Sequence, residues 1–250
     1  MVWIHPKKGF DLESKTLVKI QIDNSRELGW KDEDIMLFTN FNFEYKEIKA
    51  TVIEIDAYCD YMPISTKITS LLKLISLGYI NKRNVYWIHD FDCYQLIPFK
   101  NGEIVLGNAD MALCDYGRRK DKWSGGSIFF KYNAKDIFVQ QSEIMLKYHL
   151  VNEKAFDILT NQNPKLLKRI KKLDPAYHFL PFNIRNNYRF CLKPLRIAHF
   201  HPFKSEARIG QKPDENLFQW YCGKNKINTK LLPDRLIKIF NKYGIKDNSI

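Results

Sequence analysis

Two aspartates in the segment VYWIHDFD are the residues of this 250-residue chain whose spacing most directly suggests chemistry. Side chains on a β-strand alternate between its two faces, so Asp90 and Asp92 are expected to point the same way. Carboxylates that converge repel each other, and a hard divalent cation such as Mn²⁺ or Mg²⁺ removes that penalty. The spacing therefore predicts a cation site with Asp90 and Asp92 as ligands.

An Asp-x-Asp triplet also has an ordinary structural explanation. At the end of a strand both carboxylates can cap backbone N–H groups of a turn, and short motifs often match by chance. The elements around the triplet therefore decide which explanation holds.

Short apolar runs alternate with segments of helical period, which predicts an α/β fold with a mostly parallel sheet flanked by helices. Asp11 is expected to cap the first helix and Gly29 to end it. In open α/β sheets, ligands gather beyond the carboxyl ends of the strands, and the acidic end of the strand at 85–92 is expected there. The other expected strands are 2–5, 35–39, 50–55, 111–114, 127–131 and 195–200, and the expected helices are 11–28, 64–77, 135–149, 153–159 and 234–243.

This order of elements resembles that of the GT-A fold glycosyltransferases. An apolar strand leads into Asp-x-Asp, the helix ISTKITSLLKLISLG precedes it, and a strand, a polar loop with GGS and a further strand follow. The resemblance covers roughly residues 2–204. It implies a single Rossmann-like GT-A domain at 1–204, with 205–250 as a helical extension packed on it. It also implies transfer of a sugar from a nucleotide-sugar donor, with UDP as the expected nucleotide, to a glycan, protein or small-molecule acceptor.

The resemblance assigns roles to several residues. Asp90 and Asp92 match the family's metal-binding motif, in which the second acid binds the metal directly and the first contacts ribose or metal. Gly125 and Gly126 resemble a glycine loop that lets the backbone approach donor and acceptor, although an ordinary turn before a strand would also use glycine. Glu153 opens a helix where inverting members carry their catalytic base. The family usually has two acids there, whereas Lys154 stands beside a single acid here, and a carboxylate that favours the helix dipole is the alternative.

The segment AHFHPFK lies where many metal-dependent members carry a histidine that completes the cation shell. His199 and His201 are two residues apart and share a face, so either could reach the metal, and neutral imidazole is a sound ligand for Mn²⁺. His199 is preferred because it ends the strand most directly. In the loop before the glycines, Trp123 could stack on a sugar face, and a mobile charged loop is the alternative. The resemblance further assigns nucleotide contacts to Lys67 and diphosphate contacts to Lys204, although an ordinary exposed lysine is the alternative for each. By analogy with the fold, it assigns nucleobase contacts to His5, Asp56 and Tyr58.

The net charge of +12 indicates either a generally charged surface or a site for a polyanion. The cluster at 165–172 is expected on a solvated helix face. A basic site could bind a nucleotide diphosphate or an acidic acceptor just as it could bind RNA. Because no nucleic-acid-binding module is recognisable, nucleic acid is not the expected partner. Two alternatives stay open: a non-enzymatic RNA-binding protein, and a metal-dependent nucleotidyltransferase or nuclease that would use Asp110, Asp115 or Glu143 as further acids.

Export and membrane spans are not indicated by the sequence. No stretch approaches the roughly 18 apolar residues of a bilayer span, and the start of the chain lacks the apolar region of a secretory signal. Five cysteines are scattered without a Cys-x-x-Cys pair, which is typical of reduced thiols. A cytoplasmic protein is therefore expected.

Overall fold

The computed structural model describes residues 1–100, 103, 106–115, 123–179, 190–202 and 231–245. Helices and sheets alternate along the chain, which confirms the predicted α/β class. Contacts cluster into two compact units that interleave in sequence. The first unit contains residues 1–9, 36–89 and 100–173, and the second contains residues 10–35, 90–99 and 174–250.

The described strands of the first unit are β1 (Val2–Trp3), β2 (Phe38–Thr39), β3 (Glu44–Tyr45), β4 (Ile48–Lys49), β5 (Thr51–Val52), β6 (Tyr86–His89), β8 (Met111–Asp115), β9 (Trp123–Phe130) and β10 (Ile170–Lys172). They form two sheets of three or more strands. Its three-stranded sheet is wholly parallel, in the order β1–β2–β5, and this is the expected parallel arrangement. Its four-stranded sheet has the order β10–β8–β9–β6 and is mixed, because β9 runs antiparallel to both of its neighbours. A short hairpin pairs β3 with β4.

The α-helices in the described part of the first unit are α2 (Thr66–Ser76), α3 (Lys135–Tyr148) and α4 (Asn152–Gln162). In α2 the buried apolar residues include Ile68, Leu71 and Ile75, the spacing of one helix face. They join a core shared with β6, β8, β9, α3 and α4. The apolar period therefore predicted this helix correctly, with a single 3₁₀ turn at Pro63–Ser65 added before it.

The second unit is built on α1 (Leu12–Glu27), which the sequence predicted closely. The Asp11 side chain caps it by accepting a hydrogen bond from Ser14 N at 2.6 Å, and Gly29 follows its end with φ of +84°. Strands β7 (Cys93–Gln95) and β11 (Ile197–His199) pair antiparallel. A last helix, α5 (Asp234–Lys242), lies against α1, where the Lys242 ammonium meets the buried carboxylate of Asp23 at 2.6 Å.

Two local predictions were wrong. Residues 165–172 do not form a helix face: a 3₁₀ segment at Pro164–Arg169 leads directly into strand β10, because Ile170 is buried beside Met111 of β8. The strand predicted to run to Asp92 ends at His89. In the described part of the chain, none of the helices has both the length and the apolar character needed to cross a bilayer.

Candidate functional site

The two aspartates of the triplet lie on a turn rather than on a strand. After β6 ends at His89, residues 90–92 form a turn closed by a hydrogen bond from Cys93 N to Asp90 O at 3.1 Å, and β7 begins at Cys93. Strand alternation is therefore not what brings the carboxylates together. The turn does so, and this corrects the geometry expected from the sequence.

Pairing of β7 with β11 brings a histidine to the same turn. His199 stands opposite Cys93 in the register, and Phe200 N donates a hydrogen bond to Asp92 O at 3.0 Å. The Nε2 atom of His199 consequently lies 3.0 Å from Asp92 Oδ1 and 4.0 Å from Asp90 Oδ2. Within the residues that the structure describes, Asp90, Asp92 and His199 are the one group of three potential metal ligands whose ligand atoms all lie within 4.8 Å of one another.

Helix α1 fixes the backbone of this turn from below. Gln21 is 2% exposed, and its side-chain amide donates to Phe91 O at 2.7 Å and to Cys93 O at 3.0 Å. Buried carbonyl groups need such partners, since an unpaired one is costly. A single glutamine therefore holds the turn on both sides of Asp92.

The charge of Asp92 is stabilised within the folded protein. Burial alone would raise the pKa of this carboxyl, but the charge and the hydrogen bond of His199 act against burial, with a smaller contribution from His201. The net effect places the pKa of Asp92 well below its usual range. Asp92 is therefore a carboxylate at neutral pH, as a metal ligand must be.

Two carboxylates and one imidazole fit a divalent cation such as Mn²⁺. Carboxylate oxygen suits both Mg²⁺ and Mn²⁺, and imidazole nitrogen favours the transition metal. The side chains of Asp90, Asp92 and His199 are 31%, 19% and 20% exposed, so the group is open to solvent and to a ligand. Its composition and its openness match those of a cation site that also receives a substrate.

His201, the other histidine of the segment, contacts a different partner. Its Nε2 atom pairs with the carboxylate of Glu13 in the first turn of α1, and it lies outside the group of three. The structure thus joins His199, the preferred histidine, to Asp90 and Asp92.

One histidine beside the group was missed from the sequence. His178 is 3% exposed, and its Nε2 atom lies 2.8 Å from Nδ1 of His199, with the two rings stacked at 4.9 Å between centroids. The two histidines are 21 residues apart. No local spacing signals such a pair, since only the pairing of residue 179 with β11 creates it.

The glycines expected in a loop lie inside strand β9, which corrects that prediction for Gly125 and Gly126. A Cβ atom at position 125 would overlap Nδ2 of Asn152 and lie 3.1 Å from Cγ of Glu153. Glycine is therefore required because the start of α4 packs onto the strand, not because the chain turns.

Glu153 and Lys67 both contact the backbone of Gly125. The Glu153 carboxylate accepts a hydrogen bond from Gly125 N at 2.8 Å, and the Lys67 ammonium donates to Gly125 O. The structure therefore brings together three residues that the sequence singled out separately. All three belong to the first unit.

The predicted nucleobase contacts lie beyond the ends of the parallel strands. His5 follows β1, and its ring contacts that of Tyr58 edge-on at 6.1 Å between centroids. The backbone N–H of His5 donates to Asn40 Oδ1 at 3.1 Å. The Asp56 carboxylate pairs with Lys73 of α2 at 2.7 Å. Lys204, predicted to meet the diphosphate, lies outside the described residues.

Trp123 is a core residue, contrary to the prediction that it stacks on a sugar. It is 3% exposed, its indole N–H donates to Thr160 Oγ1 at 3.2 Å, and its ring contacts Phe156. Trp123 is the first residue of strand β9 rather than part of the preceding loop, and its side chain is therefore packed in the core.

No protein-family model and no curated protein sequence matches the chain. Solved structures do. Galactosyltransferase LgtC, in complex with donor and acceptor sugar analogues, has a TM-score of 0.54 at 12% identity over 82% of this chain and 89% of that one. A glycosyltransferase involved in glycosylation of the major capsid of PBCV-1 has a TM-score of 0.51 at 10% identity, over 79% and 91%. The glycosyltransferase GlyE of Streptococcus pneumoniae TIGR4 has a TM-score of 0.54 at 10% identity, over 99% and 65%.

The chain has a GT-A glycosyltransferase fold. This confirms the fold that the order of elements predicted. Fold similarity at such low identity leaves the chemistry to the site itself. In this GT-A chain, the group formed by Asp90, Asp92 and His199 is the feature on which an account of that chemistry depends.

Proposed function

We propose that this protein is a metal-dependent glycosyltransferase that transfers a sugar from a nucleotide-sugar, UDP-linked, to a hydroxyl group of a glycan, protein or small-molecule acceptor. One observation carries the proposal. In a chain with a GT-A fold, the Asp-x-Asp turn and a histidine more than 100 residues later converge within 4.8 Å.

The proposed roles follow from the ligand types. Asp90 and Asp92 would hold Mn²⁺ or Mg²⁺ through carboxylate oxygens, and His199 would hold it through Nε2. When bound, the cation would supply positive charge that stabilises the negative charge on a departing nucleoside diphosphate.

The protein's own residues prepare this position before a ligand arrives. Gln21 fixes the backbone on either side of Asp92, so the carboxylate need not be reordered on binding. Before a cation binds, the charge of His199 and its hydrogen bond to Asp92 lower the pKa of Asp92 and keep it ionised. Because these groups are already oriented, no free energy is spent on reorganising them when negative charge develops on the departing group.

The remaining assignments in the proposal concern the donor and the acceptor. Glu153 is the candidate base, because its carboxylate is oriented by Gly125 N and stands in the first turn of α4. Donor contacts are assigned to residues near the ends of strands and helices. They are His5, Asp56 and Tyr58 for the nucleobase, Lys67 and Lys204 for the phosphates, and the backbone of Gly125 and Gly126 for the sugar.

A nuclease or nucleotidyltransferase is less well supported. Such an enzyme would usually need a further acid beside the pair. Two of the three candidate acids are ion-paired elsewhere, Asp110 with Arg169 at 2.6 Å and Asp115 with Lys172. Among the described residues, no other carboxylate joins the group of Asp90, Asp92 and His199.

The proposal is tested by following release of UDP from a panel of UDP-sugars with and without Mn²⁺. We expect release that depends on Mn²⁺, and a decrease of at least about 100-fold for Asp92→Asn, because even partners of metal ligands typically contribute about 10–100-fold. Asp32→Asn is the matched control, since Asp32 pairs with Arg26 on the surface of the same unit. Absence of release together with absence of Mn²⁺ and UDP binding by the wild type, or wild-type behaviour of Asp92→Asn, would refute the proposal.

A further inference from the structure

The geometry points to His178 as a positioning residue that fixes the ring orientation of His199 and accepts a hydrogen bond from its Nδ1 when Nε2 binds a cation. This inference rests on the proposed metal centre and deepens it. His178 is buried at 3% exposure, and its Nε2 atom lies 2.8 Å from Nδ1 of His199, on the side of the ring opposite to the atom that faces Asp92.

The requirement on His199 is a matter of proton placement. A neutral imidazole carries one N–H group, and the nitrogen that binds a metal must offer a lone pair. If Nε2 of His199 binds the cation, its proton has to be on Nδ1. In that case Nε2 of His178, 2.8 Å from Nδ1, accepts the hydrogen bond, and the proton of His178 is on its own Nδ1. Before a cation binds, Nε2 of His199 faces the Asp92 carboxylate and carries a proton, which the cation displaces.

The backbone holds His178 in position to accept. A 3₁₀ turn at Pro175–Tyr177, capped by the Asp174 side chain, ends at His178, whose N–H donates to Pro175 O at 3.1 Å. The next residue bridges to β11: Phe179 N donates to Ile197 O at 2.9 Å, and His199 N donates to Phe179 O at 2.8 Å. Backbone hydrogen bonds between residue 179 and β11 therefore fix the two histidines relative to each other, in addition to the contacts between their side chains.

The physical effect is to hold the ring of His199 in place while a cation replaces the Nε2 proton, because the remaining proton on Nδ1 has an acceptor in His178. Metal-bound histidines generally donate their other N–H to an acceptor, and loss of that acceptor typically weakens metal binding by about 10–100-fold. The usual acceptor is a carboxylate or a carbonyl. Here a neutral histidine has that role, so the positioning adds no negative charge beside Asp90 and Asp92.

Two substitutions separate the acceptor from the ring. His178→Phe keeps a flat ring against His199 and removes the acceptor, whereas His178→Gln places an amide oxygen close to the position of Nε2 and keeps it. We expect Mn²⁺ affinity to fall by about 10–100-fold in His178→Phe and to stay within a few-fold of the wild type in His178→Gln. His178→Leu provides a second variant without an acceptor if the phenylalanine does not fit.

Two measurements distinguish positioning from general damage. Mg²⁺ depends chiefly on oxygen ligands, so its affinity should fall less than that of Mn²⁺ in His178→Phe, whereas a distorted site would lose both equally. Pulsed electron paramagnetic resonance of bound Mn²⁺ should show coupling to a nitrogen-14 nucleus in the wild type and His178→Gln. That coupling should be weakened or lost in His178→Phe and His178→Leu. Thermal unfolding of each metal-free variant checks that it is folded.

The outcomes also separate the two proposals. A wild type that binds no Mn²⁺, or binds it without nitrogen coupling, would overturn the metal centre itself. If His199→Ala abolishes the coupling while His178→Phe and His178→Leu keep both coupling and affinity, the metal centre stands and the inference about His178 is wrong.

Discussion

Substitution of Gly125 by alanine should destabilise the protein, because β9 and the start of α4 leave no room for a methyl group there. The added Cβ would overlap Asn152 Nδ2 and lie 3.1 Å from Glu153 Cγ. The Asn152 side chain has little room to move away because the residue is 4% exposed, and two hydrogen bonds hold its backbone in place. Its N–H donates to Ser65 Oγ at 2.9 Å, and its C=O accepts from the Gln141 side chain at 2.8 Å.

The magnitude follows from two costs. Forcing an extra methyl group into a packed site typically costs about 1–3 kcal/mol. Any retreat of α4 would also weaken the hydrogen bond from Gly125 N to the Glu153 carboxylate, and a bond to a charged group contributes about 1.5–3 kcal/mol. If the site responds partly by overpacking and partly by weakening this hydrogen bond, the free energy of unfolding should fall by about 2–3 kcal/mol. For a chain of this length, that corresponds to a decrease of roughly 5–10 °C in Tm.

Urea unfolding and calorimetry would measure this loss against a matched control. Gly9→Ala adds the same methyl group where the only neighbour is Lys7 O at 3.9 Å, so its stability should stay within about 1 kcal/mol of the wild type. Asn152→Ala removes the overlapping amide and should be coupled to Gly125→Ala by about 1 kcal/mol in a double-mutant cycle. Wild-type stability of Gly125→Ala, or strict additivity with Asn152→Ala, would refute the packing argument.

Two further predictions concern stability and donor binding in the same unit. Arg169 donates to the carboxylates of Asp110 and Asp136, and the hydrogen bond from Arg169 lowers the pKa of Asp136 below its ordinary 3.8. A carboxyl group whose pKa is lower in the folded protein stabilises that protein above pH 3.8, and this stabilisation is lost as the pH falls through the lowered pKa. Urea unfolding of Arg169→Met should therefore show a loss of about 1 kcal/mol in the free energy of unfolding at pH 7, where solvent screens the pair, and a smaller loss at pH 3. An equal loss at both pH values would contradict this prediction. Trp123→Phe should lower stability by about 1–2 kcal/mol through the lost bond to Thr160. It should leave UDP-sugar affinity unchanged in calorimetric titration, whereas weaker binding would restore the sugar-stacking role that burial argues against.

The sequence predicted the helices and the fold class well where local signals are strong. Asp11 marks the start of α1 and Gly29 follows its end, as their capping chemistry predicts, and the apolar period of 64–77 identifies α2. These features depend on neighbours within one or two turns, so the chain itself contains the information.

Features that depend on contacts between distant parts of the chain could not be predicted from the sequence. Gly125 resembles a loop residue in sequence, and only the approach of Asn152 explains why glycine stands inside a strand. Asp90 and Asp92 were expected to converge by strand alternation, whereas a turn fixed by Gln21 does this instead. His178 gave no signal at all, because its position beside His199 arises from a bridge between residues 179 and 198.

The anomalous scattering of a crystal grown with Mn²⁺ and UDP tests the central claim most directly. The proposed metal centre predicts an anomalous peak within coordination distance of the Asp90 and Asp92 carboxylates and of His199 Nε2, with the UDP diphosphate on its open side. A peak elsewhere, or bound UDP with no peak between these three side chains, would contradict it.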